Sequence, residues 1–271
     1  DYTSRIAKEM HVVGLMNMQY AIEDGEVYVL EANPRASRTV PLVSKVCNIK
    51  MVKLATDIMT SHLTGRPSPV PELKEKKIPH YGVKMPVFPF KMFPEVDPVL
   101  GPEMRSTGEV LGMSPNVGEA IYKAQEATQT RLPSEGTVLL SVNDMDKPEL
   151  IEVAKGFYEC GFKLMGTGRT YDIMKAAGLP AEKVAKIDEG RPNVLDKITN
   201  KSVNIIINTP LDKKGLGDDS YIRKAAVKGK IPYFTNMAAA KATVQALKTI
   251  KKNGHLGVKS LQEFHSEIKE Q

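Results

Sequence analysis

The chain has 271 residues, of which 41% are hydrophobic and 26% are charged, a composition typical of folded soluble domains that excludes extensive disorder. Its 38 Lys and Arg against 32 Asp and Glu give a net charge of +6, and no basic stretch is interleaved with aromatic residues, so we expect no nucleic-acid binding. No apolar run approaches the roughly 18 residues that a membrane span needs, and we therefore expect a cytoplasmic protein without membrane contact.

The first part of the chain begins with a predicted hairpin. Two strand-like runs, "HVVGLMNMQYAI" and "EVYVLEAN", are joined at Asp24-Gly25, a common hairpin signal. A helical pattern, "MVKLATDIMTSHL", follows, and we expect its apolar stripe to pack in a core. The residues of that stripe are Val52, Ala55, Met59 and Leu63.

Polar residues end the second run of the hairpin at every second position. Because strand side chains alternate between faces, Glu31, Asn33 and Arg35 are predicted to share one face with Val27 and Val29. Carboxylate and amide oxygens suit Mg²⁺ beside nucleotide phosphates, and a guanidinium suits phosphate oxygens. For an arbitrary E-x-N-P-R sequence, however, a salt-bridged strand end in which Glu31 pairs with Arg35 is the more common structure.

The position of Gln19 depends on the hairpin loop. A three-residue turn ending in Gly25 would pair Ile22 with Glu26 and set Gln19 diagonally beside Glu31. A two-residue loop would place Gln19 on the opposite face. We predict the three-residue turn.

Prolines separate this part from a second one of different construction. Half of the 18 prolines fall between Pro67 and Pro102, where they prevent long helices because each removes a backbone donor and fixes φ. We predict a first domain over residues 1–133, including this connecting segment, and a second over residues 134–271.

Apolar strands alternate with helical patterns in the second part, which predicts an α/β fold with a parallel sheet flanked by helices. The predicted strands are Thr137 to Val142, Phe162 to Thr167, Val203 to Asn208 and Ile231 to Thr235. The buried helix faces are predicted at Leu150, Val153, Ala154 and Phe157, and at Ala240, Val244 and Leu247. Ser260 and Glu263 form a capping box ahead of a last helix.

Polar residues follow the ends of these strands. The turn "GTGRTYDI" enters a helix, and its free backbone N–H groups and hydroxyls favour an anion. Ligands of open parallel sheets bind outside the carboxyl ends of the strands, so several polar residues should meet at one edge. They are Ser141, Lys147, Thr167, Thr170, Lys186, Asn208 and Thr209. For each lysine taken alone, a solvated surface charge is the alternative.

Two longer strings carry a family resemblance. "NMQYAIEDGEVYVLEANPRASRTVPLVSK" resembles the metal-binding hairpin of ATP-grasp ligases, and "FPFKMFPEVDPVLGPEMRSTGEVLG" looks like the segment that follows it in the large subunit of carbamoyl phosphate synthase. This resemblance covers essentially the whole chain. It implies a partial ATP-grasp α+β domain, from the unit that phosphorylates carbamate, followed by a Rossmann-like, methylglyoxal-synthase-like regulatory domain.

The resemblance also implies ligands and partners. Gln19, Glu31 and Asn33 would hold two Mg²⁺ or Mn²⁺ ions against ATP, with K⁺ as an additional candidate ion, and Arg35 and Arg38 would face phosphate as catalytic residues. A glutaminase small subunit and the N-terminal remainder of the large subunit would be partners. The glycine-rich phosphate loop and the adenine pocket would precede Asp1, so we expect this chain alone to be catalytically incompetent.

In the second domain, the resemblance implies that the seven polar residues at the sheet edge bind a nucleotide effector such as UMP or IMP. Arg169 departs from the pattern, because a small residue is expected there, and it could either strengthen or crowd an anion contact. A stand-alone methylglyoxal-synthase-type lyase and a pure effector-binding module are the alternatives. True methylglyoxal synthases carry a glycine-rich stretch with a catalytic aspartate, and "TPLDKKGLGDDSYIR" stands in its place without that pattern. This difference disfavours the lyase. Met85 stands where an ornithine-binding carboxylate would be needed, which disfavours an ornithine activator near Tyr233 and Thr235.

Overall fold

The structure of the chain, a computed structural model, describes residues 1–71, 74, 76–92, 103–210 and 216–270. The chain forms two compact units: the first combines Asp1–Pro79 with Val258–Gln271, and the second is His80–Gly257. This division departs from the predicted boundary after residue 133, because the helix Val117–Ala127 packs against the helix Met237–Asn253 inside the second unit. The assignment of residues 1–133 and 134–271 to two functional domains stays a prediction.

The helices and strands are numbered in chain order over the described residues. The helices are α1 (Tyr2–Glu9), α2 (Thr39–Cys47), α3 (Met51–Thr64), α4 (Val117–Ala127), α5 (Lys147–Glu159), α6 (Gly168–Ala176), α7 (Val194–Thr199), α8 (Leu216–Gly229), α9 (Met237–Asn253) and α10 (Leu261–Ser266). The strands are β1 (Asn17–Glu23), β2 (Glu26–Asn33), β3 (Lys76–Lys77), β4 (Tyr81–Val87), β5 (Gly108–Ser114), β6 (Thr137–Ser141), β7 (Lys163–Thr167), β8 (Ala181–Val184), β9 (Ile205–Asn208), β10 (Tyr233–Phe234) and β11 (Lys269–Glu270).

The first unit buries little apolar surface. Among its described residues, the buried hydrophobic side chains are Val40, Ala55 and Phe264. The predicted core face of α3 is therefore wrong for most of its stripe: Ala55 is buried, but the other three residues are exposed because no described element covers them. Those three are Val52, Met59 and Leu63.

The predicted capping box is confirmed at the start of α10. The Ser260 hydroxyl accepts a hydrogen bond from the Glu263 backbone N–H at 3.2 Å, and the Glu263 carboxylate accepts one from the Ser260 N–H at 2.6 Å. Two backbone donors that the helix cannot satisfy itself are thereby satisfied.

The second unit contains a five-stranded parallel sheet in the order β10-β9-β6-β7-β8. The four predicted strands are confirmed to within two residues at either end. The edge strand β8 was not predicted, because Glu182 and Lys183 interrupt its apolar pattern. Charged residues are common on edge strands, where they discourage pairing with another chain.

Helices cover both faces of this sheet, which confirms the predicted α/β class. Side chains alternate along each strand: Leu140 and Ile207 pack into one core, and Leu139 and Ile206 pack into the other. The two predicted helix faces are buried in the first of these cores. Their residues are Leu150, Val153, Ala154 and Phe157 on α5, and Ala240, Val244 and Leu247 on α9.

A buried carboxylate ties α4 to neighbouring segments of the second unit. Glu119 accepts hydrogen bonds from the Ser114 hydroxyl and the Gly257 N–H, both at 2.9 Å, and pairs with Lys123 at 2.9 Å. Burial opposes ionisation, but the bonds from Lys123, Ser114 and Gly257 outweigh it and hold the pKa of Glu119 below its usual value. The Glu119 carboxylate therefore remains ionised at neutral pH although it is buried.

Candidate functional site

A cavity opens at the carboxyl ends of the parallel strands. The chain runs from β6 outward through β7 to β8, and then returns to β9 on the other side of β6. Connections leave this point of the sheet in opposite directions, and ligands of open α/β sheets bind at such switch points. The cavity has a volume of about 380 Å³, within the range of small-molecule sites.

All seven side chains that were predicted to bind an effector line this one cavity. They come from the ends of β6, β7 and β9 and from the loops and helix starts that follow the strands. The residues are Ser141, Lys147, Thr167, Thr170, Lys186, Asn208 and Thr209. Ser141 and Asn208 are register partners on β6 and β9, so the sheet itself sets their spacing.

Hydroxyl groups organise the floor of the cavity. The Thr167 hydroxyl donates to Ser141 Oγ at 2.9 Å. Thr170 Oγ1 accepts from the Val142 N–H at 3.1 Å and donates to the Val142 carbonyl at 3.3 Å, so it fixes the loop after β6. Thr209 Oγ1 accepts from the Asn143 N–H at 2.9 Å. Thr170 and Thr209 thus have a structural task in addition to the predicted donor role.

Three cationic side chains in the described part of the chain line the cavity. Lys147 and Arg169 both pair with the Asp144 carboxylate, and the Arg169 Nη1 to Asp144 Oδ2 distance is 2.9 Å. The Lys147 hydrogen bond and then the Arg169 charge hold the pKa of Asp144 below its usual value. Lys186 also lines the cavity, and it is not paired with a carboxylate among the described residues. Arg169, which departs from the family pattern, therefore lies at the rim in an ion pair.

A second group of polar residues is centred on Asn208. Asn208 donates through Nδ2 to Asp219 Oδ1 and to the Tyr233 hydroxyl, each at 2.9 Å. Burial raises the pKa of Tyr233 to about 12, so its hydroxyl stays protonated at neutral pH. Asn208 is 2% exposed, and this network fixes the orientation of its amide.

Sequence reasoning missed Asn143, Asp144 and Asp219 as cavity-lining residues. The first two follow directly after β6, which is the signal that could have found them. Asp219 lies on α8, away from any strand end, and only the fold brings it to the cavity. Asp212, which belongs to the stretch that disfavours a lyase, lies outside the described residues.

The hairpin of the first unit sets Gln19 and Glu31 on one face, as predicted, but through a different pairing. Glu23 pairs with Glu26 across a two-residue loop, with φ of 50° at Asp24 and 83° at Gly25, so the predicted three-residue turn is wrong. The Asp-Gly sequence suits such a loop because both positions need positive φ. A two-residue loop alone would have placed Gln19 on the wrong face.

A β-bulge restores the position of Gln19. Tyr20 pairs with Val29, and Gln19 pairs with Glu31, so Leu30 is an extra residue in β2. Gln19 and Glu31 thereby share one face, and the apolar Val29 lies on the other. The predicted common face of Glu31 with Val27 and Val29 is wrong for this reason.

Past the bulge, Asn33 stays beside Glu31 but Arg35 does not. The Asn33 Nδ2 donates to Glu31 Oε1 at 2.5 Å. Arg35 lies past the end of β2, and its Nη1 donates to the Ala36 carbonyl at 3.1 Å. No ion pair joins Glu31 to Arg35 among the described residues, so the salt-bridged alternative is not what the strand end forms. Arg38 lies at the start of α2.

The donor set of the hairpin fits a hard divalent cation. Gln19, Glu31 and Asn33 offer oxygen atoms of the kind that Mg²⁺ prefers, and Asn17, paired with Asn33, adds an amide that sequence reasoning missed. Within the described residues, no three His, Cys, Asp or Glu side chains cluster as a metal site. Mg²⁺ is usually bound by one or two carboxylates together with substrate phosphates, and the hairpin set offers one carboxylate with amides.

Comparisons with known proteins identify a family for each of the two parts of the chain. Residues 2–63 match the family described as "Carbamoyl-phosphate synthase L chain, ATP binding domain", and residues 149–235 match the "MGS-like domain" family. A carbamoyl phosphate synthase large chain of Methanosarcina barkeri is 45% identical over 100% of this chain and 67% of its own length. The chain belongs to the carbamoyl phosphate synthase large chain family.

Other relatives indicate which section of that large chain is present. A protein of Aquifex aeolicus named "Carbamoyl phosphate synthase large chain, C-terminal section" is 44% identical over 98% of this chain and 53% of its own length. A large chain of Archaeoglobus fulgidus is 47% identical over 98% of this chain and 24% of its own length. The chain thus spans about half of one relative and a quarter of the other. None of the helices in the described residues has the length and apolar composition needed to cross a bilayer.

Proposed function

We propose that the cavity of the second unit binds an anionic nucleotide effector that regulates a carbamoyl phosphate synthase. The observation that carries this proposal is the convergence of the seven predicted polar side chains on one cavity of about 380 Å³. Lysine and hydroxyl groups near the start of α6 suit a phosphate monoester, since helix N-termini favour negative charge. UMP and IMP are the candidate ligands.

The polar residues around Asn208 support a ligand that carries further polar groups besides its phosphate. Asp219 and Asn208 line the cavity and are fixed by their mutual hydrogen bond, so they present acceptors in defined positions. Ribose hydroxyls and base N–H groups are the donors that such acceptors would recognise. Regulation would require the nucleotide to bind one conformation of the enzyme better than another.

For the first unit, we propose the ATP-grasp role of the family: phosphorylation of carbamate with ATP in the complete large chain. Gln19, Glu31 and Asn33 would hold Mg²⁺ or Mn²⁺, which when bound supplies neutralisation of phosphate charge. Arg35 and Arg38 would contact phosphate oxygens. A glutaminase small subunit and the rest of the large chain would complete the enzyme in the cytoplasm. K⁺ binding stays a prediction.

The cavity proposal is tested by calorimetric titration of UMP and IMP into the purified chain and two lysine variants. Lys147→Ala should weaken binding about tenfold or more, because a charge-assisted hydrogen bond to phosphate is worth about 1.5–3 kcal/mol. Lys155→Ala is the matched control on the same helix, 65% exposed at its side chain, and should bind as the wild type does. Equal affinity of both variants would remove Lys147 from the site.

A stand-alone lyase is disfavoured, because relatives that match nearly the whole chain are named carbamoyl phosphate synthase large chains. An assay for methylglyoxal formation from dihydroxyacetone phosphate distinguishes the two functions. We expect no product above the uncatalysed rate. A rate that Asp219→Asn abolishes would favour the lyase instead.

A further inference from the structure

Asp144 lies between two of the cations that line the cavity. One of its carboxylate oxygens pairs with Lys147, and the other pairs with Arg169 at 2.9 Å. Asp144, Lys147 and Arg169 all line the cavity. The carboxylate therefore bridges the two cations with both of its oxygens, as a bound phosphate oxygen pair would do.

The loop that carries Asp144 is held in place independently of this bridge. Asn143 Oδ1 accepts from the Met145 and Asp146 N–H groups at 2.8 and 3.0 Å, and its Nδ2 donates to Asp146 Oδ2 at 2.8 Å. The preceding Val142 is tied to Thr170 through its N–H and its carbonyl. The Asp144 backbone is thus fixed by its neighbours, and its side chain is free to rotate without unfolding the loop.

The two cations differ in how freely they can change partner. The Lys147 side chain is 12% exposed, whereas those of Arg169 and Asp144 are 72% and 56% exposed. Lys147 is confined to the cavity, so an incoming anion must share it with Asp144 or replace Asp144. Lys186, the third cation lining the cavity, is not paired with a carboxylate in the described part of the chain and is open to the ligand directly.

We propose that Asp144 is an internal counter-ion of the anion site, which a ligand must displace from Lys147 and Arg169 before its phosphate can bind there. This inference rests on the proposed effector function. It makes Asp144 a residue that sets the affinity of the site, because every anionic ligand competes with a carboxylate of charge −1. A phosphate monoester carries a charge of about −1.5 to −2 at neutral pH and competes well, whereas a monoanionic phosphodiester does not.

Arg169 acquires a role from the same geometry. It is the more exposed partner of Asp144, so it can turn from the carboxylate to the phosphate when the ligand arrives. With Arg169 removed, Asp144 retains only Lys147, and the phosphate loses a cation at the rim. Arg169→Gln should therefore weaken binding of the monoester, which is the opposite of the effect expected at Asp144.

The test is a calorimetric titration of UMP, and of the methyl ester of UMP as the monoanionic probe, into the full chain and its variants. Asp144→Asn should bind UMP about tenfold more tightly than the wild type, since a competing charged hydrogen-bond acceptor is lost. Its affinity for the methyl ester should rise by a similar factor, because both ligands displace the same carboxylate. Asp144→Ala should change both affinities in the same direction.

Asp172→Asn is the control for net charge, since Asp172 lies on α6 and does not line the cavity. It should change either affinity by less than about twofold, because an exposed charge outside the cavity is largely screened. Unchanged or weaker UMP binding by both Asp144 variants, with the wild type binding UMP, would overturn the counter-ion role alone. If neither the wild type nor any variant binds UMP, IMP or inorganic phosphate, the effector function fails and the inference fails with it.

Discussion

β2 of the hairpin and β6 of the sheet are both apolar strands, but β2 is exposed and β6 is buried. Leu30 on β2 is 64% exposed and Leu139 on β6 is 0% exposed. A strand becomes buried only when further layers cover its faces, and helices cover both faces of β6. A two-stranded hairpin has no such cover of its own and is at best marginally stable in isolation. The apolar pattern of a strand thus predicts that it forms, and its partners decide whether it is buried.

The largest effect should separate these two leucines. Leu139→Ala removes a fully buried side chain and leaves a cavity, so it should lower the free energy of unfolding by about 3 kcal/mol. Leu30→Ala is the matched control and should change it by less than about 0.5 kcal/mol. Urea unfolding followed by circular dichroism measures both values. Similar losses for the two variants would mean that the hairpin is as well covered as the sheet.

An intermediate effect is expected at Glu119, where burial makes a polar network costly to break. Glu119→Gln replaces an ionised acceptor, so it should lower the free energy of unfolding by about 2 kcal/mol at neutral pH. Glu126→Gln on the same helix is the control, because its 3.7 Å pair is with an Arg131 side chain that is 87% exposed.

The pH dependence of the Glu119 effect follows from the direction of its pKa. Because the folded pKa lies below the ordinary value of 4.5, the stabilisation is complete above that value and is lost as pH falls through the folded pKa. Unfolding measured between pH 7 and pH 3 should show the wild type approaching Glu119→Gln in acid. A difference that stays constant over this range would exclude ionisation as its source.

The smallest effect belongs to the exposed surface of the first unit. Lys53 and Asp57 pair at 2.5 Å one turn apart on α3, with the Lys53 side chain 68% exposed. A double-mutant cycle with Lys53→Ala and Asp57→Ala should give a coupling of about 0.3–0.5 kcal/mol. This coupling should disappear in about 1 M salt, where screening acts over a few ångströms. A coupling above 1 kcal/mol in such salt would contradict an exposed, screened pair.

Prediction from the sequence succeeded where local pattern and fold-level rules agree. The parallel strands, the buried faces of α5 and α9, and the meeting of Ser141, Thr167 and Asn208 at one sheet edge all follow from periodicity and from the chain order of the elements. In these cases each residue's position depends mainly on the element that contains it.

Prediction failed where one residue changes the register or where a distant element decides the outcome. The extra residue Leu30 puts Glu31 on the face opposite Val27 and Val29. No local sequence pattern predicts this bulge. Asp144 was missed because its importance depends on Lys147 and Arg169, which come from different helices. The exposed stripe of α3 was predicted to be buried, because periodicity reports an apolar face without reporting what covers it.

The cavity depends on the strand order, since it opens where the order of the strands switches from one side of β6 to the other. The sheet that carries it is stabilised by buried side chains such as Leu140 and Ile207, which do not line the cavity. Under the proposed effector function, replacing a few loop residues would exchange one small-molecule signal for another while the sheet folds unchanged. The topology would then fix where a signal binds, and the loops would fix which signal it is.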